Sequence, residues 1–183
     1  MACKGSRVRI SLAPLTAVTS WLLYFLSLIP LFLLSFYDYP SADDFTMGYR
    51  AHEVWIVTGS VVKTLFSAFP IAVHYYHTWI GYYTSAALSA VPPSTFSPAL
   101  YWLSVWGIVL FLTLSVALFL HILLVKLLDL DRFHASVITS LTLLFLVHAM
   151  PGEARAEAFF WNSGSWNYTA TWSLGLLYLG ALL

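Results

Sequence analysis

Long uncharged apolar runs alternate with short polar, aromatic-rich stretches along this chain. Leu15 to Tyr37 is the first run and carries one internal proline, Pro30. A helix needs about 20 apolar residues to cross the hydrocarbon of a bilayer, so this run is long enough. Pro30 predicts a kink that neighbouring helices can absorb. Ala99 to Val125 is the second run, with His121 its one ionisable side chain. Ala135 to Met150 is the third, near the lower limit of a span, and it extends back through Phe133. The fourth begins near Tyr168 and continues to Leu183. The pattern predicts spans over 15–37, 99–125, 133–150 and 168–183 in a single membrane domain covering 1–183. The last run stops in apolar sequence, which predicts a fragment of a longer protein.

The stretch from Asp38 to Pro98 is patterned differently. Val54, Val57, Val61, Leu65 and Phe69 recur at helical spacing, while Glu53, Ser60, Lys63 and Ser67 fall mostly on the other face. This predicts an amphipathic helix over 44–69 lying in the membrane interface, because a span would place Lys63 in the hydrocarbon. Pro70 is expected to end it. A second interfacial helix, or a weak span, is expected over 71–90, followed by a loop at Pro92-Pro93.

Composition narrows the class. Hydrophobic residues make up 60% and charged residues only 9%, against roughly 25% charged in soluble domains. Mean hydropathy is +0.81. The expected fold class is all-α: polytopic transmembrane helices with an interfacial helical segment in the first outer loop. Continuous runs, not short alternating ones, exclude a β-barrel. A net charge of zero gives no footprint for nucleic acid. The single cysteine, Cys3, excludes an internal disulfide framework.

Charge sets the orientation. Lys4, Arg7, Arg9, Lys126 and Arg132 would lie on one side, against Arg50, Lys63 and Arg155 on the other. The positive-inside rule then puts the N-terminus in the cytoplasm. A cleaved signal peptide is the competing reading. The first run is too long for one, and Tyr37-Asp38-Tyr39-Pro40 is a poor cleavage site, so an uncleaved anchor is expected.

Under this topology two polar clusters share the outer face. One is Asp43-Asp44, just after the first run. The other holds Glu153, Arg155 and Glu157, then Phe159 to Tyr168. Adjacent carboxylates at a membrane surface are solvated, paired or bound to a cation. One of such a pair can serve as a base. The plainer reading of Asp43 or Asp44 is a cap on the helix that follows. The plainer reading of the Trp/Asn/Gly/Tyr stretch is an aromatic belt with a turn. His74 and His77 share a helix face and could hold a metal, or form a polar edge among tyrosines.

Three blocks carry a resemblance: Asp38-Tyr39-Pro40-Ser41-Ala42-Asp43-Asp44-Phe45, Tyr75-Tyr76-His77-Thr78-Trp79-Ile80-Gly81-Tyr82, and Phe160-Trp161-Asn162-Ser163-Gly164-Ser165-Trp166-Asn167-Tyr168. They resemble the N-terminal part of bacterial multi-pass proteins that are similar to GT-C-type glycosyltransferases. Tyr82 stands where that pattern has Arg, so Arg50 or Arg155 would have to take its place on a phosphate. The resemblance implies transfer of a sugar from a polyprenyl-phosphate donor in membrane lipid to a glycan or lipid acceptor of the cell envelope. The site would lie at the outer face of the bacterial cytoplasmic membrane. It implies Asp43 or Asp44 as general base, holding a divalent cation (Mg²⁺ or Mn²⁺). Replacing either by Ala is expected to abolish transfer without unfolding the chain. Arg50, Trp79, Glu153, Arg155, Trp161, Asn162, Asn167 and Tyr168 are the expected substrate contacts. A transporter subunit and a non-catalytic membrane scaffold are the alternatives.

Overall fold

The computed structural model describes residues 12–79 and 81–183. Cys3, Lys4, Arg7, Arg9 and Ile80 lie outside the described residues. Every regular element described is helical: α1 (Ala13–Ser27), α2 (Ile29–Ser35), α3 (Asp43–Thr58), α4 (Val61–Phe66), α5 (Ala68–Thr78), α6 (Tyr83–Ser89), α7 (Trp102–His121), α8 (Arg132–His148), α9 (Gly152–Arg155), α10 (Asn162–Ser165) and α11 (Thr171–Leu182). Short π turns continue α7 through Ile122–Leu127 and flank α10 at Ala156–Phe160 and Trp166–Ala170.

Among the described residues two helices are long and apolar enough to cross a membrane, Ala13–Ser35 and Pro98–Leu127. These are the first two expected spans, and they make the chain an integral membrane protein. Within the first, Pro30 cannot donate to the carbonyl of Leu26, and the ladder breaks at Leu28. The third run, α8, reaches spanning length only together with the Gly152–Phe160 helix, from which it is bent by 110°. The fourth run is helical: α11 continues without a break from the π turn Trp166–Ala170, and it is not among the two long apolar helices.

The core sits around α7. Val105, Ile108, Val109, Leu112 and Val116 of α7 are buried against Tyr24, Leu28 and Leu31 of the first span, and against Leu143, Val147 and Phe159. Lipid supplies no hydrophobic drive between helices, so close packing and interhelical polar contacts hold them. Four such contacts join these helices among the described residues. Trp21 Nε1 donates to Ser136 Oγ (2.8 Å) and Trp106 Nε1 to Ser35 Oγ (3.1 Å). Tyr24 and Thr113 share a hydroxyl bond (2.5 Å), and His148 Nε2 bonds Ser27 Oγ (2.9 Å). Outward positions such as Leu23, Leu110, Leu114 and Phe145 stay more than half exposed, as lipid contact requires.

The expected helix over 44–69 is three pieces. Gly59 adopts the left-handed conformation (φ 56°) and ends α3, and Ser60 Oγ caps α4 by accepting the Lys63 amide (3.4 Å). Pro70 does not break it. It lies in the first turn of α5, where a missing N–H costs little. The stripe Val57, Val61, Leu65, Phe69 faces outward, while Met47 and Ala51 pack on Ile71, Ala72, Tyr75, Ala86 and Ala90 in a second small core. The expected second helix over 71–90 is likewise divided, into α5 and α6.

Candidate active site

The second core stands α3 beside the start of α7 and the α10 segment. Asp44 is 2% exposed there and is engaged on both oxygens. Oδ1 accepts from the Ser163 amide (2.7 Å) and the Ser163 hydroxyl (2.6 Å). Oδ2 accepts from the amides of Asn162 (3.3 Å) and Ser41 (3.4 Å), and from the Tyr101 hydroxyl. Asn162 and Ser163 open α10, whose preceding residue Trp161 gives no side-chain cap. Asp44 therefore caps a helix, though not its own: it satisfies the first amides of α10 from across the fold. Five donors leave it neither a free lone pair for a metal nor room to act as a base.

Asp43 is the opposite case. No hydrogen bond to its carboxylate is present among the described residues. It lines an open cavity of about 590 Å³, together with Trp79, Tyr82, Trp161, Asn167 and Tyr168. The backbone between the two carboxylates explains the division. The Asp44 amide bonds the Ser41 carbonyl (2.9 Å), closing a turn with Ala42 at φ 45°, ψ −118°. These are the dihedrals of the first central residue of a type II′ turn, a glycine position. The turn starts α3 so that Asp43 faces the cavity and Asp44 faces α10.

Two donors beside the cavity are orphaned. Trp161 Nε1 and Asn162 Nδ2 are buried without a hydrogen-bond partner among the described residues. Gly164 lets the Trp161 ring lie on α10. A Cβ there would stand 2.5 Å from Trp161 Cε3 and 2.8 Å from the Glu157 carbonyl oxygen. Asn167 Nδ2 reaches the Tyr82 hydroxyl at 3.5 Å.

Of the expected contacts, Trp79, Trp161, Asn167 and Tyr168 line the Asp43 cavity, and Asn162 adjoins it through Trp161. Three others do not line it. Arg50 lies two turns along α3, bonded to His74 Nε2 (3.1 Å). Burial raises the Tyr75 hydroxyl pKa, with the Arg50 charge opposing the rise and the Asp43 charge adding to it, so that phenol lies within the field of both. Arg155 instead donates to the carbonyls of His148 (2.9 Å) and Met150 (2.9 Å), closing the C-terminus of α8 at its bend. Glu153 is exposed on α9. His74 and His77 gain no third ligand, and no group of three or more His, Cys, Asp or Glu comes together among the described residues.

Sequence reasoning missed Tyr101 and Asp38. Tyr101 is fully buried at the entry to α7, and its hydroxyl grips Asp44. Asp38 follows the first span. Burial pushes its carboxyl up to about 6, with the Tyr39 amide opposing and the Asp44 charge adding to the rise. Its Oδ2 is buried and unpartnered among the described residues. An acidic residue within the span-to-helix connection was the available signal for Asp38; nothing local marked Tyr101. No protein-family model, curated protein or solved structure matches the chain.

Proposed function

We propose that this chain is a polytopic membrane glycosyltransferase of the GT-C type, or the front part of one. It takes a sugar from a polyprenyl-phosphate donor to a cell-envelope acceptor at the outer face of a bacterial inner membrane. The observation that carries the reading is the unengaged Asp43 carboxylate in an aromatic- and amide-walled cavity beside the helices. A sugar ring has apolar C–H faces and hydroxyl edges. Rings such as Trp79, Tyr82 and Trp161 suit the faces, and Asn167 and the orphaned Trp161 Nε1 suit the edges. A buried donor without a partner costs about 1–3 kcal/mol, which a hydroxyl acceptor would recover.

In the reaction, the acceptor hydroxyl oxygen attacks the anomeric carbon. The bond from that carbon to the phosphate oxygen breaks, and polyprenyl phosphate leaves with the electron pair. Asp43 takes the hydroxyl proton and passes it to water. Asp44 is a positioning residue that fixes α10 and hence Trp161. A divalent cation would have one free protein carboxylate, Asp43, the rest of its shell being water and donor phosphate, a sparse set of the kind Mg²⁺ accepts.

The test is release of polyprenyl phosphate from synthetic polyprenyl-phosphate hexoses and pentoses by the full chain in lipid nanodiscs. Asp43→Asn should lose release by about 100-fold or more, with an unchanged unfolding temperature. Release at the native rate by the folded variant, or none by the native chain with any donor, would sink the proposal.

A further inference from the structure

The other end of the helices holds a second pair of cavities that the glycosyl-transfer reading does not use. One, of about 290 Å³, lies between α1, α7 and α8 and is lined by Trp21, Ala117, His121, Arg132, Ser136 and Thr139 among others. The second, of about 570 Å³, is an apolar groove along the outward face of α1, walled by Val18, Leu22, Phe25 and Phe133. Trp21, Arg132 and Ser136 line both, so the polar pocket opens into the apolar groove.

The donors at that junction are free to bind. Ser136 Oγ accepts from Trp21 Nε1 (2.8 Å), which leaves its own O–H to donate. The Arg132 guanidinium lies 5.0 Å from the centroid of the Phe133 ring and makes no ion pair among the described residues. The nearby carboxylates, Asp129 and Asp131, do not line the pocket. Asp131 Oδ2 is bonded to the Phe133 amide (3.0 Å) and to His134 Nδ1 (3.0 Å). Lys126 is exposed just before the α7–α8 connection.

We propose that this junction is a binding site for an anionic glycerophospholipid, with the phosphate on Arg132 and Ser136 and an acyl chain in the groove along α1. Charge complementarity selects the occupant. A planar guanidinium beside a free hydroxyl suits a phosphodiester, and the continuous apolar groove suits the chain attached to it. A basic pocket between membrane helices is a recurrent setting for such head groups, and one basic residue near the surface is worth about a fivefold preference. The site lies across the helices from Asp43, so a lipid here would clamp α1 to α8 without entering the aromatic cavity.

The experiment is native mass spectrometry of the detergent-purified full chain with equal amounts of phosphatidylglycerol and phosphatidylcholine. About fivefold more retained phosphatidylglycerol is expected. Arg132→Gln should erase the preference, and Lys126→Gln should keep it. If Arg132→Gln does not fold, Arg132→Lys decides instead: it should lose part of the preference through loss of the fork. Four results would overturn the site: no preference in the native chain; full preference in the Arg132 variant; equal loss in Lys126→Gln, which would mean diffuse attraction; or displacement by inorganic phosphate at constant ionic strength, which would mean a soluble anion.

Discussion

The Asp44 carboxylate and Ser163 meet through two hydrogen bonds of 2.7 and 2.6 Å across 119 positions of the chain. That contact ties the connection after the first span to the α10 turn, and it separates the two neighbouring carboxylates by role. The capping aspartate builds the site, and its neighbour Asp43 faces the cavity.

Removing Asp44 should therefore unfold the site. Asp44→Ala strands the Ser163 amide and hydroxyl in a buried place and leaves the Asn162 amide only the Tyr101 hydroxyl, and that hydroxyl only the Phe160 carbonyl, at a cost of about 3 kcal/mol or more. Asp44→Asn should be nearly as harmful, because donors meet both oxygens and an amide group turns one acceptor into a donor. Unfolding temperature in detergent measures both. A native temperature in Asp44→Asn would mean that the Asp44 network is not holding α10.

Much of the frame was legible in the pattern of apolar runs. Both spanning helices fall where uncharged length demands, since length and charge alone decide whether a helix can sit in lipid. The meeting of the Asp43-Asp44 cluster with Trp161 to Tyr168 followed from placing both on one face. The role of Asp44 was half legible: a cap was expected, but on its own helix, because local sequence does not show that α10 lacks a capping side chain. Tyr101 was invisible for the same reason, its partner being 57 positions away. The breaks at Gly59 and after α4 were missed because the apolar stripe from Val54 to Phe69 keeps helical spacing across them. That stripe faces outward, so no packing forces it to remain one helix.

Gly164 should resist any side chain. In Gly164→Ala the new methyl meets the Trp161 ring and the Glu157 carbonyl, and only the ring can yield. Overpacking of this kind costs about 1–3 kcal/mol, partly offset by about 1 kcal/mol of helix propensity. The ring must also leave its place in the cavity wall. The expected result is a small fall in unfolding temperature with a large fall in donor binding. A variant that binds donor normally would show that Trp161 is not part of the binding wall.

Asp38 should make stability depend on pH. The folded chain holds its proton up to about 6, against 3.8 for the ordinary carboxyl. A group of this sign contributes fully below pH 3.8, and its contribution is lost as pH rises through 6. The residue is partly exposed, so the effect is modest. Asp38→Asn keeps the neutral shape at every pH. Between about pH 4.5 and 7.5 the native unfolding temperature should fall relative to that of Asp38→Asn. Parallel curves would mean that Asp38 titrates normally.

The turn before Asp43 supplies the last prediction. Ala42 holds φ 45° with a side chain, where glycine is at ease, and such strain costs on the order of 1 kcal/mol or more. Ala42→Gly relieves it in the folded chain but also loosens the unfolded one, so a net gain of about 0.5–1 kcal/mol is expected. The strain fixes the direction in which Asp43 leaves the turn. If that rigidity serves proton transfer, Ala42→Gly should be more stable yet slower in donor turnover, with KM little changed. A faster or equal rate in the stabilised variant would mean that the strained turn is only a means of starting α3.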